Sequence, residues 1–237
     1  MTTGETIILI VLVVAAAIAL GWIYRRDRRR LKARRGVLFS QCLDLLEAPQ
    51  LRQEDLDYPV LTGRYGGHGV HIDAIIDHIA VRKVPSLWLR VSLMAPLPGM
   101  PTLDILMRAH NVEFFSPSND LPHRVDLPPG WPKDATIHSD DPARLPASRI
   151  LTPHMTFFDK PQAKEMLLTA KGVRLVFQAS QADRLHYQVL RQADFENPVL
   201  APDVLQDLLD RLIAIHRDVA TALASNIPES KASESQS

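Results

Sequence analysis

The sequence predicts an α+β fold: an N-terminal transmembrane helix, then one domain with a mainly antiparallel sheet, a proline-rich loop region and a C-terminal amphipathic helix. Three observations predict it. Residues 7–24 (IILIVLVVAAAIALGWIY) carry no charge. From Tyr58 onward apolar residues alternate with polar ones at a period of two, and from Pro202 they recur at the three- and four-residue spacing of a helix face.

At ~1.5 Å per residue the uncharged run reaches roughly 27 Å, close to the hydrocarbon thickness of a bilayer, and a helix satisfies its own backbone there. Trp22 and Tyr24 fall where the headgroup boundary is expected. Residues 1–6, MTTGET, contain no Lys or Arg, so the basic start of a cleaved signal peptide is missing. Residues 25–35 follow without a gap, with Arg25, Arg26, Arg28, Arg29, Arg30, Lys32, Arg34 and Arg35 against Asp27 alone. Positive charge stays on the cytoplasmic side, which makes the chain a single-pass signal anchor with residues 1–6 extracytoplasmic and the body inside. The same eight side chains are the expected contacts for anionic lipid headgroups, at about 1 kcal/mol each near the surface. The chain has 27 basic and 27 acidic residues, so what remains outside the basic run is net acidic, which argues against nucleic acid as a partner. Ala15/Ala19 and Ala17/Gly21 supply the small-xxx-small spacing through which two such helices pair as a homodimer.

Residues 36–224 are expected to form the cytoplasmic domain and residues 225–237, ending ESKASESQS, a disordered tail. The sole cysteine, Cys42, excludes an intramolecular disulfide and suits a reducing compartment. Residues 36–48 place Leu38, Phe39, Cys42, Leu45 and Leu46 on one stripe before Pro49, the pattern of an amphipathic helix. YPVLTGRY and VHIDAII, joined through Gly66-Gly67-His68-Gly69, read as a hairpin. Residues 81–84, 87–94 and 103–107 continue it as an antiparallel meander. Residues 95–153 are proline-rich, so irregular chain with short strands such as DATIHS is expected, pinned by Phe114, Phe115 and Trp131. Asp159 as an N-cap and Gly172 as a stop frame KPQAKEMLLTAK as a helix, with Lys164 and Glu165 as surface charges. VRLVFQA and LHYQVLRQ then form a second hairpin, and Pro202 and Asp203 open a helix carrying Val204, Leu205, Leu208, Leu209, Leu212, Ile213, Val219 and Leu223 on one face.

The densest group of titratable residues is HGVHIDAIIDH. His71 and Asp73 are two apart on a strand and share a face, and His68 and His78 stand near them in sequence. Imidazoles and a carboxylate suit a metal, which makes His68, His71, Asp73 and His78 the candidate ligands of a metal-dependent hydrolase. The competing reading is a solvated polar hairpin face, and Ile76 departs from the spacing of the metallo-β-lactamase-like hydrolases. Cys42 sits among leucines as a small hydrophobe, and Asp140-Asp141 before Pro142 reads as a turn. No nucleophile elbow, phosphate-binding loop, dinucleotide fingerprint or paired CxxC is present, so no catalytic residue and no cofactor is assigned.

GRYGGHGVHIDAIIDHIAVRKVPSLWLRVSL and ILTPHMTFFDKPQAKEMLLTAKGVRLVF resemble segments of short bacterial proteins with an N-terminal membrane helix and no assigned activity. That resemblance implies a bacterial inner-membrane setting and transfers no site residue. The sequence therefore points first to a non-enzymatic, membrane-anchored module that binds a protein partner or the lipid surface. The two alternatives are the metal-dependent hydrolase and an accessory subunit that docks on a larger membrane complex through its C-terminal helix.

Overall fold

The computed structural model of the chain describes residues 3–77, 85–109, 116–181, 195 and 199–225. Helix α1 (Thr3–Gly36) is followed by nine strands in one sheet: β1 (Glu47–Arg52), β2 (Val60–Tyr65), β3 (His68–Ile76), β4 (Ser86–Met94), β5 (Leu103–Met107), β6 (His123–Val125), β7 (Ala135–Ser139), β8 (Ala163–Thr169) and β9 (Gly172–Gln181). A single-turn helix α2 (Ser148–Leu151) precedes β8, and α3 (Pro202–Ser225) closes the described chain. All the strand pairs are antiparallel, and the spatial order is β1-β2-β3-β4-β9-β8-β5-β7-β6.

The first hairpin forms as expected. Tyr65 pairs with His68 across Gly66 and Gly67, whose φ of 55° and 82° is what a two-residue turn of this twist demands of both positions. The meander, however, stops at β4. Strand β9 takes the place expected for β5, and β5 lies two strands further on, between β8 and β7. The chain after β4 passes the β8–β9 turn, where the Leu97 amide donates to the Ala170 carbonyl at 3.0 Å, and β9 occupies the β4 edge. Residues 81–84, 182–194 and 226–237, with Phe114 and Phe115, lie outside the described residues.

Two expected helices are replaced. Residues 36–48 form a run of turns and a 3-10 helix at Leu43–Leu45 before β1. The burial pattern was legible even so: Leu38, Phe39 and Cys42 are fully buried and Leu46 nearly so. KPQAKEMLLTAK becomes β8, with Asp159 closing a 3-10 helix (Thr152–Asp159). A strand covered on both faces has no alternation to display, so its apolar run passes equally well for a helix. Gly172, expected as a helix stop, sits at the β8–β9 turn with φ 147°, where a Cβ would fall 2.0 Å from the Leu93 carbonyl oxygen. Only glycine fits that approach.

The core lies on one side of the sheet. Leu205, Leu208, Leu209, Leu212, Ile215 and Val219 of α3 are buried there against β4 and β9, each contributing about 2 kcal/mol of apolar transfer. Trp131 pins the proline-rich segment into the same core and donates from Nε1 to Thr152 Oγ1 at 3.0 Å. The apolar face of α3 is thus satisfied within its own domain.

Candidate functional site

Three places carry the chemistry. The first is the hairpin cluster. Residues facing each other across antiparallel strands share a side, so β3 sends Val70 and Ile72 into the core and His71 and Asp73 to the outer face. His68 has the parity of Val70, and its ring meets His216 of α3 at 5.3 Å. The sheet therefore stands between His68 and the His71/Asp73 pair. Asp73 is taken by Arg90 on β4, which donates to both carboxylate oxygens from Nε at 3.2 and 3.1 Å and again from Nη2. His71 is exposed, and His78 lies outside the described residues. Among the described residues no three metal-ligating side chains converge.

The second place is the basic end of α1. Arg28 pairs with Asp55 through both carboxylate oxygens, one at 2.6 Å. Arg35 donates to the Leu56 carbonyl at 2.5 Å and lies over the Tyr58 ring at 5.2 Å. Gln53 donates to the Lys32 carbonyl at 3.0 Å. Closer to the apolar stretch, Arg26 lies over the Trp22 ring and Arg28 over the Tyr24 ring. The contacts to Gln53, Asp55, Leu56 and Tyr58 hold the helix to the segment that follows β1. Among the described residues no helix is long and apolar enough to cross a membrane. The side chains of α1 are described continuously from Ile10, and from there the uncharged run ends at Arg25.

The third place escaped the sequence reading. Asp104 on β5 and Glu165 on β8 are both fully buried on the outer side of the sheet. A register shift between Ala163 and Glu165 makes Lys164 the extra residue of a bulge. Its Nζ donates to the Arg108 carbonyl at 2.9 Å, and Glu165, paired with Val176, lies on the same outer side as Asp104. Arg174, on β9, donates to Glu165 Oε2 from Nε at 3.3 Å and Nη2 at 3.0 Å. Ser116 donates to Asp104 Oδ2 at 2.8 Å, and Ser118 is linked to His138 Nδ1 at 2.8 Å. The remaining oxygens, Asp104 Oδ1 and Glu165 Oε1, are buried without a donor among the described residues.

Two carboxylates in that position cannot both ionise cheaply. Burial pushes Asp104 up to about 7, the Glu165 charge adds to the rise, and Ser116, Ser118 and Arg174 oppose it. Burial raises Glu165 too, against the pull of Arg174. Protonating one of the two carboxyls leaves a single negative charge on the pair, beside the Arg174 guanidinium. The pair is closed to solvent, so it acts on its own neighbours. Burial, with Arg124, lowers His138.

Two smaller readings fit the geometry. Cys42 donates to the Leu200 carbonyl at 3.3 Å, and burial pushes its thiol up to about 11, far from a reactive thiolate. Asp140 accepts from the Thr102 amide at 2.8 Å and Asp141 pairs with Arg144 at 2.6 Å, both as turn formers.

No protein-family model matches the chain, and no curated protein matches it. Its function therefore rests on the geometry of these three places.

Proposed function

We propose that the chain is a membrane-tethered, non-enzymatic module whose sheet domain is held at the cytoplasmic surface of a bacterial inner membrane for docking to a protein partner. One observation carries the tether. Val11, Leu12, Val13 and Val14 are consecutive on α1 and therefore point to every side of it, yet each is between 52% and 62% exposed. Ile18, Leu20, Trp22 and Ile23 continue the pattern. A helix apolar on all sides with no protein around it has lipid as its natural solvent. With residues 7–9 included, the uncharged run reaches the length of a span.

The basic end of α1 supports the orientation, because eight cations against Asp27 and Glu5 favour the cytoplasm for the side that carries them. The absence of a complete catalytic motif from the sequence and the closure of the Asp104/Glu165 pair to solvent both favour docking over catalysis. The exposed His71, on the outer sheet face beside Asp73 and Arg90, is an accessible point for a partner. A reporter fused after Ser237 tests the orientation: activity confined to the cytoplasm is expected, and activity in the periplasm refutes the reading. Photo-crosslinking from position 71 in intact membranes tests docking. A discrete heavier product is expected, and a bare monomer at full photolysis counts against a protein partner on that face.

A further inference from the structure

Segment 116–125 covers Asp104 on the outer side of the sheet. Its 3-10 helix (Ser118–Asp120) packs on β5 and β7, and β6 adds three cross-strand pairs at the sheet edge. A chain of side chains ties the segment to the strands beneath. Ser116 Oγ donates to Asp104 Oδ2 at 2.8 Å and accepts from the Ser118 amide at 3.1 Å, and the buried Ser118 hydroxyl meets His138 Nδ1 at 2.8 Å. Asp104 thus anchors the segment and is also half of the buried carboxyl pair.

We propose that this carboxyl pair is a proton-operated latch: segment 116–125 stays seated while one of the two groups is protonated and lifts when both are ionised. The latch is independent of the tether. Asp104 and Glu165 are fully buried, and Asp104 Oδ1 and Glu165 Oε1 have no donor among the described residues. The charged and titratable side chains bordering the pair are Lys164 on β8, Arg174 on β9 and His138 on β7, which stands across from Asp104 with Arg124 of β6 beyond it. Arg174 donates to Glu165, whereas Asp104 accepts from the neutral hydroxyl of Ser116. A second charge in a dry site is unfavourable, and water relieves it. Lifting 116–125 readmits water at the loss of one helical turn and a three-residue edge strand. Burial is the largest influence on Asp104 and outweighs the pull of Ser116 and Ser118, so hydration favours the ionised form even though it breaks those bonds. Seated, Asp104 titrates at about 7, and in water at 3.8. Because the seated value is the higher one, the seated form is fully favoured below about pH 4, and the ratio of lifted to seated chains rises about tenfold per pH unit up to about 7 before levelling off. Glu165, raised by burial, adds in the same sense, and His138, lowered, acts in the opposite one.

Hydrogen exchange of the full chain in neutral detergent, corrected for the intrinsic rate at each pH and read by mass spectrometry, compares peptides over 116–125 with peptides over α3. Between about pH 5 and about pH 7 the first set is expected to lose protection about tenfold per pH unit, while α3 stays protected. Asp104→Asn removes most of that slope, and Glu165→Gln, which clears the neighbouring charge, makes it shallower. Either variant carries the test if the other fails to fold. Ser116→Ala raises exchange over 116–125 at every pH and leaves the slope in place, because the carboxyls still have to be hydrated. His138→Gln also keeps the slope, which sets the imidazole aside as its source. Wild-type protection that ignores pH, a loss shared equally by α3, a slope that survives the carboxyl substitutions or one that disappears with His138→Gln overturns the latch.

Discussion

Asp104→Asn separates a carboxyl pair that holds a proton from one that is merely buried. In the wild type the folded Asp104 titrates at about 7 against 3.8 for the exposed group, so the native state keeps a proton that the unfolded chain releases. Because the folded value is the higher one, this contribution to stability is fully present below about pH 4, declines as the pH rises through the interval to about 7, and is gone above it. About three pH units at ~1.36 kcal/mol each set an upper limit of about 4 kcal/mol. For a domain of this size that corresponds to about 8–16 °C in Tm. Asparagine keeps the shape of the side chain and has no carboxyl to titrate, so the variant lacks the Asp104 part of the slope while Glu165, also raised by burial, keeps its own. Thermal unfolding of the full chain in neutral detergent, followed by tryptophan fluorescence at a series of pH values, gives both curves. Asp207 and Asp218, whose values are lowered and which lie on the C-terminal helix away from the pair, cancel in the difference between the two proteins. The wild type is expected to lose ground relative to Asp104→Asn as the pH rises from about 4 to about 8. Two curves that run parallel across that range refute the raised value of Asp104.

Further outcomes follow from particular contacts. Gly172→Ala places a Cβ 2.0 Å from the Leu93 carbonyl oxygen at a φ of 147°, and a loss of about 3 kcal/mol or more is expected in denaturant unfolding. Phe157, fully buried between the sheet and the helices, costs about 3–5 kcal/mol on truncation to alanine, read by the same measurement. His71→Ala leaves the metal content of the purified chain unchanged, because Arg90 already holds the carboxylate of Asp73. A stoichiometric metal lost in that variant, seen by elemental analysis, revives the hydrolase reading.

The outer half of the fold was legible and the middle was not. The Gly66-Gly67 turn, the alternation of β3 and β4 and the apolar face of α3 follow from local spacing, and each appears as expected. The strands at residues 103–107 and VRLVFQA also form as expected; what fails at the centre of the sheet is their neighbours in it and the element type of β8, whose covered faces leave no period of two. Lys164 and Glu165 illustrate the consequence. Read locally they are the solvated charges of a helix, and only the strand order sets Glu165 beside Asp104 and Arg174, residues 61 and 9 positions away in the chain. No spacing rule finds a site assembled from three strands. A single signal was available: a Lys-Glu pair inside an apolar run bounded by Pro161 and Gly172 fits a buried strand with partnered charges as well as it fits a helix. The His71/Asp73 pairing was readable from parity alone, but its neutralisation by Arg90 needed the register of β4.

The tether is tested most directly by alkaline carbonate extraction of bacterial membranes containing the full chain. The wild type is expected to stay in the membrane pellet, and a variant with Val13→Arg and Ala17→Arg to move to the supernatant. A wild-type chain released by carbonate contradicts the account.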